Sequence, residues 1–161
     1  MNICESLTVT AKLIPSQTAI IFGERQFSYG QLNALSVAAA EQLSARGIKP
    51  GDRVALMLPN SPSFPIWYYA ALRIGAIVVS VSTRLAPSEV NFIVTDCEAK
   101  AFVGSESTFN AVTPDLPEFV TASFATDDVT GDPLKPHHST SLLTDQAKTN
   151  EWHQAEPDEP A

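Results

Sequence analysis

Cysteine is nearly missing from the 161-residue chain, with only Cys4 and Cys97, far apart. Two thiols cannot staple a disulfide scaffold, and a reducing, cytoplasmic setting is the expectation. Bases are also few, ten against eighteen acids for a net charge of −8. That balance excludes a nucleic-acid binder relying on whole-chain charge, and no nucleic-acid partner is expected. Long apolar runs are lacking. Residues 54–72 carry no charge, but Pro59, Asn60, Pro62 and Pro65 interrupt them, so no membrane span is expected. Residues 1–15 have no basic region and contain Glu5, which leaves no secretory signal in view. No G-x-S-x-G, G-x-G-x-x-G or P-loop motif occurs, and no carboxylate pair in the first 104 residues suggests acid–base work.

What remains is globular in composition: 44 % apolar and 17 % charged residues, on a chain long enough for one domain. The charge is uneven. Residues 1–104 hold eight bases and seven acids; residues 105–161 hold Lys135 and Lys148 against eleven acids, with six of the twelve prolines. The reading is an ordered body at 1–104 and an acidic, proline-punctuated, irregular segment at 105–161.

Within the body, residues 5–14 suit a short helix stopped before Pro15. Residues 19–22 and 26–28 flank Gly23-Glu24-Arg25 as a hairpin. Ser28 with Gln31 forms a capping box, Leu32, Leu35, Ala39 and Leu43 repeat at helical spacing, and Gly47 ends the helix. Residues 53–58 make a buried strand, and Ser61 with Pro62 starts a helix burying Phe64, Trp67, Tyr68, Ala71 and Leu72. Residues 77–81 form a strand, 87–95 a helix through Val90, Phe92, Ile93 and Val94, and 101–103 a further strand. Alternating strands and helices imply crossovers and a mostly parallel sheet, so the fold class is α/β.

Four segments in order, FSYGQL (27–32), GIKPGDRVALMLPNS (47–61), YYAALRIGAIVVSVSTRL (68–85) and PSEVNFIVTDCEAKAFVG (87–104), resemble the N-terminal stretch of the AMP-forming acyl-adenylate synthetases. Arg84-Leu85 and Pro87-Ser88-Glu89 look most like the acid–CoA ligases. Ser80 and Ser82 stand where those ligases often have proline and asparagine, and Ala86 where a threonine often caps the next helix. The resemblance implies an incomplete N-terminal subdomain of an enzyme that activates a carboxylic acid, with fatty acids among the candidates, with ATP to an acyl adenylate and passes it to CoA. ATP, Mg²⁺ and CoA are implied for an intact enzyme and none for this chain alone. The family's phosphate loop, ribose and Mg²⁺ acids and mobile lysine all lie downstream of the matched stretch, and Glu156 to Ala161 looks like the run leading into that loop. No catalytic residue and no metal ligand is therefore assigned, and the chain alone is expected to be inactive. Its implied partner is the remainder of a synthetase.

Arg84 is the one body residue singled out for ligand contact. The matching arginine of some CoA ligases touches the CoA phosphates, which suits a forked guanidinium. Thr130-Gly131-Asp132 spells the family's ribose triplet but precedes its usual place, between turn-forming prolines. His137, His138 and His153 lack the spacing of a metal shell, Cys97 reads as a packed thiol, and Trp67, Tyr68 and Tyr69 as core or interface residues. The competing reading is a non-catalytic interaction module, or one half of a split synthetase. In the family this region shares its sheet with later strands, so residues 53–58 or 77–81 would leave an edge open.

Overall fold

The computed structural model describes residues 3–126. Helix α1 (Ile3–Leu13) leads into an antiparallel hairpin of β1 (Thr18–Phe22) and β2 (Arg25–Ser28), turned at Gly23, whose φ of +59° suits glycine. Helix α2 (Tyr29–Ala45) starts on the expected box: Ser28 Oγ accepts from Gln31 N–H at 3.2 Å, and Gln31 Oε1 accepts from Ser28 N–H at 2.8 Å. Then follow β3 (Arg53–Met57), α3 (Ser63–Arg73), β4 (Ile77–Ser80), α4 (Pro87–Asp96), β5 (Ala101–Ser105), α5 (Glu106–Val112) and β6 (Ala122–Thr126).

Strands β3 to β6 form one parallel sheet in the order β4-β3-β5-β6. On one face α1, α2 and α3 bury Leu7, Leu43, Ile66 and Trp67 against Val54, Leu56, Val103 and Phe124. On the other, α4 and α5 bury Val90, Val94, Phe109 and Val112 against Ala55, Met57, Phe102 and Ala125. Adjacent residues of one strand thus serve opposite cores, which is why β3 and β5 read as continuous apolar runs.

Several expectations shift. Pro62 sits just before the first helical residue, not within the helix, and the buried stripe of α3 runs through Ile66, Trp67, Ala70 and Ala71, with Phe64, Tyr68 and Leu72 only half-buried. Phe92 is 71 % exposed, because the α4 core contacts fall to Val90 and Val94. Helix α5 and strand β6 continue the fold beyond Gly104. Strand β3 is paired on both sides, so of the two segments considered as open edges only β4 is one.

Two helix ends depart from the usual residue choice. At the start of α4, Ala86 has no hydroxyl to cap with, yet Glu89 still accepts from Ala86 N–H at 2.8 Å, which keeps one half of a capping box. At its end, Glu98 N–H donates to Thr95 O and Ala99 N–H to Val94 O, a Schellman closure with Glu98 at φ +50° where glycine is usual. Arg53 holds this corner: Nε donates to Cys97 O at 2.5 Å, and Nη2 donates to Glu98 O at 3.2 Å and pairs with its carboxylate at 2.9 Å.

Candidate functional site

From β3 the chain crosses through α3 to β4 on one side, then recrosses through α4 to β5 on the other and continues outward to β6. The connections diverge, and change face, between β3 and β5. In doubly wound sheets such a switch point opens a crevice beyond the carboxyl ends of the strands. A cavity of about 230 Å³ lies there, between the turn that follows β4 and helix α5, with Met57, Thr83, Leu85, Ser107 and Thr108 among its walls. A second, more open depression of about 410 Å³ runs along the flank of α4, past Leu85, Ser88, Glu89, Phe92 and Ile93. It is mainly the outer surface of one helix, so the switch-point crevice is the better candidate despite its smaller volume.

The crevice floor is a hydroxyl network. Thr108 Oγ1 lies 3.2 Å from Met57 O, 3.1 Å from Ser105 O and 2.9 Å from Ser105 Oγ, and Ser105 Oγ lies 3.3 Å from Ser107 Oγ. With one proton each, these groups tie the end of β3 to β5 and α5. Gly104 makes the approach feasible, because a Cβ there would stand 2.9 Å from Thr108 Oγ1 and 3.2 Å from Phe109 N.

Arg84 lies in the turn after β4, between two crevice residues, Thr83 and Leu85. It is exposed. Its backbone N–H donates to Ser82 Oγ at 3.3 Å, and among the described residues its guanidinium takes part in no hydrogen bond or ion pair. An unengaged fork of donors at a strand-end crevice suits a phosphate. No group of three or more His, Cys, Asp or Glu side chains gathers among the described residues; the crevice is lined by hydroxyl and apolar side chains, with Arg84 on the adjoining turn. Thr130-Gly131-Asp132, His137, His138 and His153 lie outside the described residues.

The other singled-out residues fall away from the crevice. Trp67 is buried, its ring centroid 4.9 Å from Phe124, while Tyr68 and Tyr69 are half-buried and meet edge to face. The Cys97 thiol reaches Val94 O at 3.7 Å, and its carbonyl is the one Arg53 grips, a basic neighbour that comes from a distant strand. A polar hub went unread in the sequence: Arg73 donates to Ser36 Oγ at 3.0 Å, Thr8 Oγ1 at 3.2 Å and Asn33 Oδ1 at 2.5 Å, joining α1, α2 and α3. Beside it Cys4 donates to Tyr69 O at 3.5 Å, and burial pushes the Cys4 thiol above its ordinary range while Arg73 pulls the other way. The one clue was an arginine closing an otherwise uncharged helix.

This is a doubly wound α/β scaffold with a hydroxyl-lined crevice at its switch point and an arginine on the adjoining turn. The model of the AMP-binding enzyme family matches residues 7–161, and the chain belongs to that family. It is 45 % identical over 78 residues to the long-chain-fatty-acid–CoA ligase FadD13 of Mycobacterium tuberculosis, covering 48 % of this chain and 16 % of that protein. It is 37 % identical over 102 residues to the crotonobetaine/carnitine–CoA ligase of Proteus mirabilis, covering 60 % of this chain and 20 % of the relative. Among solved structures, the N-terminal domain of FACL13 from Mycobacterium tuberculosis superposes with a TM-score of 0.74 at 31 % identity, over 89 % of this chain and 38 % of that one. The chain thus spans about a fifth or less of the length of these curated relatives.

Proposed function

We propose that these residues form the N-terminal scaffold of an ATP-dependent acid–CoA ligase, working on a carboxylic acid of the fatty-acid type in the cytoplasm. The observation that carries the reading is the family match across residues 7–161 together with relatives that are CoA ligases. In an intact enzyme Arg84 contacts the CoA phosphates, its guanidinium supplying paired donors at the crevice rim. When bound, ATP with Mg²⁺ would supply the adenylyl group to which the acid is joined, with pyrophosphate as the leaving group. This chain's part is to present the sheet end, the hydroxyl floor and Arg84; the reacting acids and lysine belong to the remainder of the synthetase, its partner. Alone, the chain does not form an acyl adenylate.

The test is acid-dependent ATP–pyrophosphate exchange by the purified 161-residue chain. No exchange above background is expected, and measurable exchange overturns the scaffold reading.

A further inference from the structure

The turn that carries Arg84 is fastened on both sides by side chains of its own neighbourhood. On one side Ser82 Oγ accepts from Arg84 N–H, and Ser82 O accepts from Leu85 N–H at 3.3 Å. On the other, Glu89 reaches back from the first turn of α4 to accept from Ala86 N–H at 2.8 Å, while Glu89 N–H donates to Ala86 O at 3.0 Å. Ala86 offers no hydroxyl, so among the described residues the carboxylate is the side-chain tie between the turn and the helix start. Glu89 makes no ion pair with Arg84 among the described residues; its charge is spent on the backbone, at a helix end where an anion is favoured.

Resting on the reading of Arg84 as a phosphate contact, we propose that Glu89 is a positioning residue, whose hydrogen bond to Ala86 N–H holds the 82–86 turn in the form that presents Arg84 to a phosphorylated ligand. The proposal makes a prediction opposite in sign to simple electrostatics. A carboxylate five residues from the binding arginine repels a phosphate, so charge alone requires its removal to tighten binding. Positioning requires removal to loosen the turn and weaken binding, and it requires glutamine, which keeps an acceptor oxygen, to rescue.

The experiment titrates the ¹⁵N-labelled 161-residue chain with coenzyme A, following the Arg84 and Ala86 amides, and measures hydrogen exchange at the Ala86 amide. Native chain, Glu89→Ala, Glu89→Gln and Arg84→Ala are compared. For Glu89→Ala we expect several-fold weaker CoA binding and Ala86 exchange faster by about fivefold, the scale of one lost capping bond. For Glu89→Gln we expect an affinity within about twofold of native, since a neutral acceptor replaces a charged one. CoA binding by Glu89→Ala as tight as native, or tighter, overturns the proposal, as does unchanged Ala86 exchange. Binding that Arg84→Ala leaves untouched overturns the Arg84 reading instead; where the isolated chain gives no saturable titration, Ala86 exchange alone decides, and unchanged exchange in Glu89→Ala overturns the proposal.

Discussion

Replacing Ala86 with serine should stabilise the fold, and the structure sets the size of the gain. Ala86 already has the extended backbone of a capping residue, φ −71° and ψ 153°, and is exposed, so a hydroxyl enters without crowding. The reciprocal half of the box is in place in the Glu89 carboxylate on Ala86 N–H. A serine Oγ would give Glu89 N–H a second acceptor beside Ala86 O, to which it already donates at 3.0 Å. Cap substitutions of this type are worth about 0.5–2 kcal/mol, typically ~1. For a folded body of this size, ~1 kcal/mol raises Tm by about 3–6 °C. Urea unfolding followed by the fluorescence of buried Trp67 measures it, with the slope of the transition unchanged if only stability moves. The gain should shrink when Glu89→Ala is present, because the two halves share one turn. An Ala86→Ser variant no more stable than native refutes the capping argument.

Glu98→Gly tests the left-handed closure of α4. Glycine relieves about 1 kcal/mol of left-handed backbone cost, and the exposed pair with Arg53 that is lost is worth about 0–1 kcal/mol, so equal or slightly higher stability is expected by urea midpoint, whereas Glu98→Val should lose stability. Trp67→Ala should cost about 3–5 kcal/mol, since the ring is 1 % exposed against Phe124. Trp67→Phe should cost distinctly less, because among the described residues the indole N–H has no acceptor to lose. The Cys4 thiol has its folded pKa raised by burial against the opposing pull of Arg73, so the unfolded thiol ionises first. Its contribution is therefore full below the ordinary thiol pKa and is lost as pH rises through and above it; the fall in urea midpoint between neutral and alkaline pH should be smaller in Cys4→Ala.

Most of the fold was legible where its cause is local. The Ser28–Gln31 box, the Gly23 turn and the β-branched run of β4 each rest on residues within one turn of one another, so spacing alone reveals them. What escaped depends on distant partners. Strand β6, Ala-Ser-Phe-Ala-Thr, has little intrinsic strand preference and is made a strand by pairing with β5. Helix α5 buries only Phe109 and Val112, too few to show a period. Glu98 takes a left-handed turn that sequence assigns to glycine, because Arg53, forty-five positions away, grips its carbonyl and carboxylate. Of the candidate site, Arg84 was found through resemblance and the hydroxyl floor was not found at all, since Met57, Ser105 and Thr108 converge only once β3 and β5 are neighbours.

The same strand order that creates the crevice also leaves open edges that bear on the proposed scaffold reading. Placing β3 and β5 at the centre leaves β4 and β6 at the two edges of the described sheet. Neither edge carries a charge or a proline, and β4 exposes Ile77 to 52 %. A module selected to exist alone blunts such edges with lysine, proline or a bulge, because open backbone donors and acceptors next to apolar side chains invite pairing with another chain. The crevice is lined by hydroxyls such as Thr108, which is engaged with the Met57 carbonyl, and Arg84 stands on the turn beside it. Open edges on the described sheet are what a scaffold awaiting further polypeptide presents, which supports the scaffold reading proposed above over the stand-alone module.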